Sequence, residues 1–235
     1  MDLSRTRSPL PPLPALIHSL LEDRAVLNDP ATPFAFRLQE GHGSVVAMAG
    51  ENASGKSLLA QMVAGCAYHD HGVEPMVVSV QARTSEGMLR AFTYGSEQER
   101  ATGEVSLSVA LKALDGLAQR MGPNGAGQAL AILDEPDLGL SESYAHAFGL
   151  LIAQKAAKLP ARGWGLMVVT HSRALMRGLR TGLGQDPTFI HAGGCLTLDE
   201  WLQCPPGHTV EDLLSLPLRA RARAAEVRSI LRRPD

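Results

Sequence analysis

Along this chain apolar residues recur with two different periods, and the places where one gives way to the other mark out its elements. Residues 14–27, "PALIHSLLEDRAVL", place apolar side chains at helical spacing after a Pro-, Ser- and Arg-rich stretch over 1–13. "FAFRL" (34–38) alternates as a half-buried strand does, and "SVVAMAG" (44–50) is a short unbroken apolar run of the kind a strand covered on both faces needs. The turn "EGHG" between them makes these two strands expected neighbours. A helix is expected from Gly55 to Ala67, a strand at 76–82, and a long helix over 103–122 that closes at Gly122-Pro123. "ALAILD" (129–134) and "GLMVVT" (165–170) repeat the buried-strand pattern, with helices expected at about 141–158 and 172–181 around the second of them. "TFIHA" (188–192) predicts one more strand, and 210–232 a last helix.

Strand and helix in alternation predict an α/β fold with a mostly parallel central sheet and helices on both faces. Composition changes little in that picture. The chain has 235 residues, 45% of them hydrophobic, enough for one substantial core. We read an N-terminal arm at 1–13, a single domain at 14–209 and a C-terminal helical tail at 210–235. A net charge of −2 exerts no overall pull toward nucleic acid or membrane. Cys66, Cys195 and Cys204 form neither an even secreted set nor a metal quartet, so reduced thiols are expected. No secretory leader pattern opens the sequence and no window of ~18 apolar residues occurs. A cytoplasmic protein without membrane insertion is therefore the expectation.

Candidate chemistry starts at "GENASGKS". Gly50, Glu51, Asn52, Ala53, Ser54, Gly55, Lys56 and Ser57 satisfy the phosphate-loop pattern G-x-x-x-x-G-K-[ST], after a buried strand and at the opening of a helix. Backbone N–H groups of such a loop, together with the helix N-terminus, cradle phosphate oxygens. Lys56 would reach the β- and γ-phosphates of a bound nucleotide, and the Ser57 hydroxyl would ligate Mg²⁺; the loop alone leaves kinases, GTPases, helicases and transport ATPases open. Asp134 closes the apolar strand 129–134, where its carboxylate can also hold Mg²⁺, and Glu135 follows it directly. A second carboxylate there suits a base that polarises the water attacking the γ-phosphate.

Taken together, these residues resemble the ABC-class P-loop ATPases. "LDEPD" is similar to that class's Walker B and D-loop, and "VVTHS" to its switch histidine, here His171. The resemblance covers about residues 34 to 192. It implies an ABC-like fold, a role for His171 at the γ-phosphate and attacking water, and a dimer closed head to tail around two ATP molecules. It further implies Gln81 as the Q-loop residue near Mg²⁺, and an aromatic residue on adenine, for which Phe34 and Phe36 are the candidates and the core is the competing place. Arg100 to Glu104 falls where the class has its signature, so Thr102 and Gly103 would act on the ATP of the opposite subunit. Thr102 as a simple helix cap is the competing reading.

Only 78 positions separate Lys56 from Asp134. That spacing predicts a reduced helical lobe, and counts against a transporter subunit and against a coiled-coil chromosome ATPase. A compact soluble member, like those of mobile elements and repair systems, is the expectation, with a protein partner receiving the motion. A nucleotide-gated regulatory module with little turnover is the alternative, with the ATP-binding subunit of a transporter behind it. Six arginines after residue 217 (219, 221, 223, 228, 232, 233) form either a solvated helix end or a surface for nucleic acid.

Overall fold

The computed structural model describes residues 8–23, 25–29, 32–79, 102–122, 124–204 and 207–232. Its centre is a six-stranded sheet built from β1 (Phe36–Gln39), β2 (His42–Gly50), β3 (Met76–Val78), β4 (Ala129–Asp134), β5 (Trp164–Val169) and β6 (Pro187–Ala192), in the order β1-β6-β2-β5-β4-β3. All neighbours pair in parallel except β1, which runs antiparallel to β6 at the edge.

The helices are α1 (Leu13–Asp23), α2 (Ala25–Asn28), α3 (Lys56–His69), α4 (Thr102–Met121), α5 (Glu142–Ala156), α6 (Arg173–Leu183), α7 (Leu198–Gln203) and α8 (Val210–Leu231). The central strands are buried on both faces, which is why their sequences read as apolar runs rather than alternations. Successive residues serve opposite layers. Val45, Ala47, Leu133, Leu166 and Val168 face α4, α5, α6 and α7, while Val46, Met48, Ile132, Met167 and Val169 face α1 and α3. Val227 and Ile230 of α8 join this second layer. The fold is thus α/β with helices on both faces of a mostly parallel sheet, as the patterning implied.

One expectation needs correction. β1 and β2 are not neighbours, because β6 lies between them and hydrogen-bonds to both. The "EGHG" link passes close over the start of β6 instead of forming a hairpin. An ideal Cβ on Gly41 would come within 2.5 Å of the Pro187 carbonyl oxygen, so only glycine allows that passage. α7 was not anticipated. It is short, and its signal is a capping box in which Thr197 accepts from the Glu200 N–H and Glu200 accepts from the Thr197 N–H.

His42 opens β2 with its Nδ1 accepting from the Ser44 and Val45 N–H groups, both at 3.1 Å. Burial holds its pKa below the ordinary value of 6.5. The unfolded chain takes up a proton at 6.5 while the folded chain resists, so this contribution to stability is present above pH 6.5. It is lost as pH falls from there through the depressed folded value. Asn at position 42 keeps an acceptor and removes the titration. Urea unfolding at pH 7.5 and 5.5 is expected to show a larger acid loss of stability in the wild type than in His42→Asn.

Candidate functional site

The strand order decides where the chemistry gathers. β5 is inserted between β2, which leads into the phosphate loop, and β4, which ends in Asp134. The C-terminal ends of all three strands therefore open on one cleft, at a change of strand order where α/β sheets place their ligands. This cleft, of about 660 Å³, is lined by Asn52 to Leu58, Asp134, Glu135, His171, Phe34, and Ala220, Arg223, Ala224 and Val227 of α8.

The phosphate loop turns sharply before α3. Ala53 (φ 59°) and Gly55 (φ 96°) both lie in the left-handed region, which turns the chain sharply into α3. Gly55 caps α3 without any side-chain acceptor. The first N–H groups of that helix thus need another acceptor, such as a phosphate oxygen. Lys56 is 7% exposed, and its Nζ donates to the carbonyl oxygens of Gly50 at 3.0 Å and Glu51 at 2.8 Å. Burial draws its pKa down to about 8, against the opposing pull of Glu135, Asp134 and Glu51. Gly50 and Glu51 do not line the cleft. They support it through those carbonyls, while the Glu51 side chain turns to His208 Nε2 at 2.7 Å.

Ser57 Oγ donates to Asp134 Oδ2 at 3.4 Å. Burial, and next the neighbouring Glu135, raise the Asp134 pKa, so a nearby cation would relieve an unfavourable charge. A hydroxyl and a carboxylate are hard oxygen donors of the type Mg²⁺ accepts. Among the described residues no group of three or more His, Cys, Asp and Glu could hold a metal ion by itself. The donor set fits a Mg²⁺ shared with phosphate oxygens rather than an all-protein cage.

Glu135 departs from strand geometry with φ 51°, an uncommon conformation for a non-glycine residue. Its N–H still bonds to the Val169 carbonyl at 2.8 Å, which fixes it against β5. Its Oε1 lies 3.4 Å from Nε2 of His171, the residue after β5 and Thr170, with both side chains about a third exposed (34% and 37%). Thr170, fully buried, donates from Oγ1 to Asp137 at 3.1 Å and accepts from the Ser172 N–H at 2.9 Å. That hydroxyl ties the loop after Glu135 to the loop holding His171. Sequence reasoning did not single it out, although it stands beside the histidine in "VVTHS".

Of the other expected site residues, Gln81 and Arg100 lie outside the described residues. Phe34 lines the cleft, whereas Phe36 packs against the layer of α1 and α3. Thr102 and Gly103 do not line the cleft of their own chain. They start α4 against the loop after Glu135, where Ser106 Oγ donates to the Thr102 and Leu138 carbonyls. An ideal Cβ on Gly103 would sit 2.7 Å from Leu140 Cδ2 and 2.8 Å from the Gly139 carbonyl oxygen. Gly103→Val is therefore expected to destabilise the fold by roughly 1–3 kcal/mol through overpacking. A thermal melt checks this, and Thr102→Ala is the cleaner probe of any role for this turn.

No family model matches this chain, and no curated protein matches it. Among solved structures, it is similar to the ORC2 protein of Aeropyrum pernix (ADPNP–ADP complexes), at 15% identity and a TM-score of 0.39, over 94% of this chain and 55% of that one. It is also similar to Cdc6p of Pyrobaculum aerophilum, at 14% identity and a TM-score of 0.40, over 94% and 52%. The chain spans about half the length of these structures. Likeness of this degree assigns neither family nor activity, so the functional reading rests on the cleft itself. Among the described residues no helix is long and apolar enough to cross a membrane.

Proposed function

We propose that this chain is an ABC-class ATPase that binds ATP with Mg²⁺ and hydrolyses it to ADP and phosphate. The observation that carries the reading is the Glu135–His171 pair, 3.4 Å apart and opening on the cleft that also holds Lys56, Ser57 and Asp134. The loop amides and Lys56 hold the triphosphate. Ser57 and Asp134 would hold Mg²⁺, which when bound would neutralise negative charge on the phosphates. Glu135 orients a water against the γ-phosphorus and accepts its proton. As the new P–O bond forms, the bond to the bridging oxygen breaks and its electrons pass to ADP. His171 is placed to contact the γ-phosphate and to hold the Glu135 carboxylate in position.

Closure as a head-to-tail dimer, with Thr102 and Gly103 supplied in trans, and delivery of the motion to a partner complete the proposal. Nucleic acid is the partner class that the arginines of α8 suggest. Steady-state phosphate release tests the reading. Saturable, Mg²⁺-dependent release is expected, and stimulation by DNA would identify the partner class. Tight ATP binding with no release would instead make the chain a nucleotide-gated regulatory module.

A further inference from the structure

The arginine-rich tail does not simply run into solvent. α8 is attached to the phosphate loop at two points: Arg223 Nη1 donates to the carbonyl oxygen of Ala53, and His208, just before the helix, meets Glu51 Oε2 at 2.7 Å. Val227 and Ile230 anchor its far end on the core layer of α1 and α3. Ala220, Ala224 and Val227 recur at i, i+4 and i+7, so they share one face of the helix, and that face lines the cleft. The cleft lining thus combines a polar set, Lys56, Asp134, Glu135 and His171, with an apolar set made of Phe34 and three small or apolar side chains of α8. Phe34 is packed onto the loop itself, its ring 2.7 Å from where a Cβ of Gly55 would stand.

A nucleoside triphosphate combines the same two characters, a polyanion and a flat base of largely apolar faces. On the basis of the ATP site proposed above, we infer that α8 is a cis-acting wall of that site. Ala220, Ala224 and Val227 face the nucleoside across from Phe34, and the Arg223 guanidinium, already at the phosphate loop, makes a charged contact to the phosphates. The small side chains leave room for a base where larger ones would fill the cleft. Arg223 has five N–H donors, so its bond to Ala53 leaves donors for phosphate oxygens.

The test is calorimetric binding of ATP and of inorganic tripolyphosphate, which has the anionic part alone, to the full chain and four variants. Ala224→Trp puts an indole on the wall and is expected to weaken ATP at least about tenfold while leaving tripolyphosphate within about twofold. Arg223→Ala is expected to weaken both ligands about tenfold or more, the usual scale for a lost hydrogen bond to a charged group. Arg221→Ala, exposed on the same helix and outside the cleft, is expected to change neither. Wild-type ATP affinity in both Ala224→Trp and Arg223→Ala, with binding abolished by Lys56→Ala, would overturn the wall and leave the ATP site standing. So would an Ala224→Trp variant that loses tripolyphosphate as much as ATP. A wild-type chain that binds neither ligand would overturn both readings.

Discussion

Replacing Glu135 with Gln should lower ATP turnover by about 10²–10⁴-fold, the range over which a positioned general base acts. Affinity for ATP should stay within a few-fold. The two effects separate because Gln keeps the size and a hydrogen-bonding oxygen of the side chain but loses the charge that takes a proton from water. Backbone geometry should survive the change, since the left-handed turn at Glu135 is fixed by its N–H to the Val169 carbonyl and by the Leu138 N–H to its own carbonyl. The variant should therefore accumulate in the ATP-bound state. If closure of a dimer awaits ATP, light scattering of Glu135→Gln with ATP is where it will be seen. A monomer under those conditions would remove the dimer from the account and leave the cleft intact.

Lys56→Ala should act one step earlier and raise the Kd for ATP by at least about 100-fold, or about 2.7 kcal/mol. Lys56 is the buried cation of the cleft's polar set, and burial has already depressed its pKa to about 8. Phosphate oxygens arriving there meet a group whose charged form lacks water and is held by two backbone carbonyls. The interaction is correspondingly strong. Removing the ammonium also takes a compensating charge away from Asp134 and Glu135, so binding a polyanion next to them becomes worse still. Equilibrium binding of a fluorescent ATP analogue measures the effect. Loss of turnover without loss of binding would move Lys56 from holding the ground state to acting on the reaction alone.

Much of this cleft could be read from the sequence because its parts are local. Gly50 to Ser57 is a single loop whose shape follows from its own glycines, and Asp134 and Glu135 end a strand whose apolar run is unmistakable. His171 drew its meaning from its place one strand later, and the insertion of β5 between β2 and β4 is what turns that sequence order into a 3.4 Å contact.

What the sequence concealed depends on pairings between distant segments. β6 enters between β1 and β2 from about 150 residues away along the chain, and nothing in "EGHG" distinguishes a hairpin link from one passing beside a third strand. The tail was harder still. Its four arginines mark α8 by charge, whereas the residues that meet the cleft include the alanines between them, whose spacing of four is a weak signal in a helix of mixed composition. Among the described arginines of the tail only Arg223 binds the phosphate loop, and charge counting treats all six alike. Phe34 and Phe36 stand two residues apart with similar chemistry, and the fold alone sends one to the cleft and the other to the core.

Whether this cleft hydrolyses ATP with Glu135 acting on water is decided by a single-turnover reaction. Protein in excess over γ-labelled ATP with Mg²⁺ is quenched at intervals and its nucleotide and phosphate are separated. The wild type is expected to convert the bound label to free phosphate, and Glu135→Gln to bind the same ATP but retain the label on the nucleotide. Bound ATP that stays intact in the wild type, or is cleaved equally fast by Glu135→Gln, would contradict that expectation.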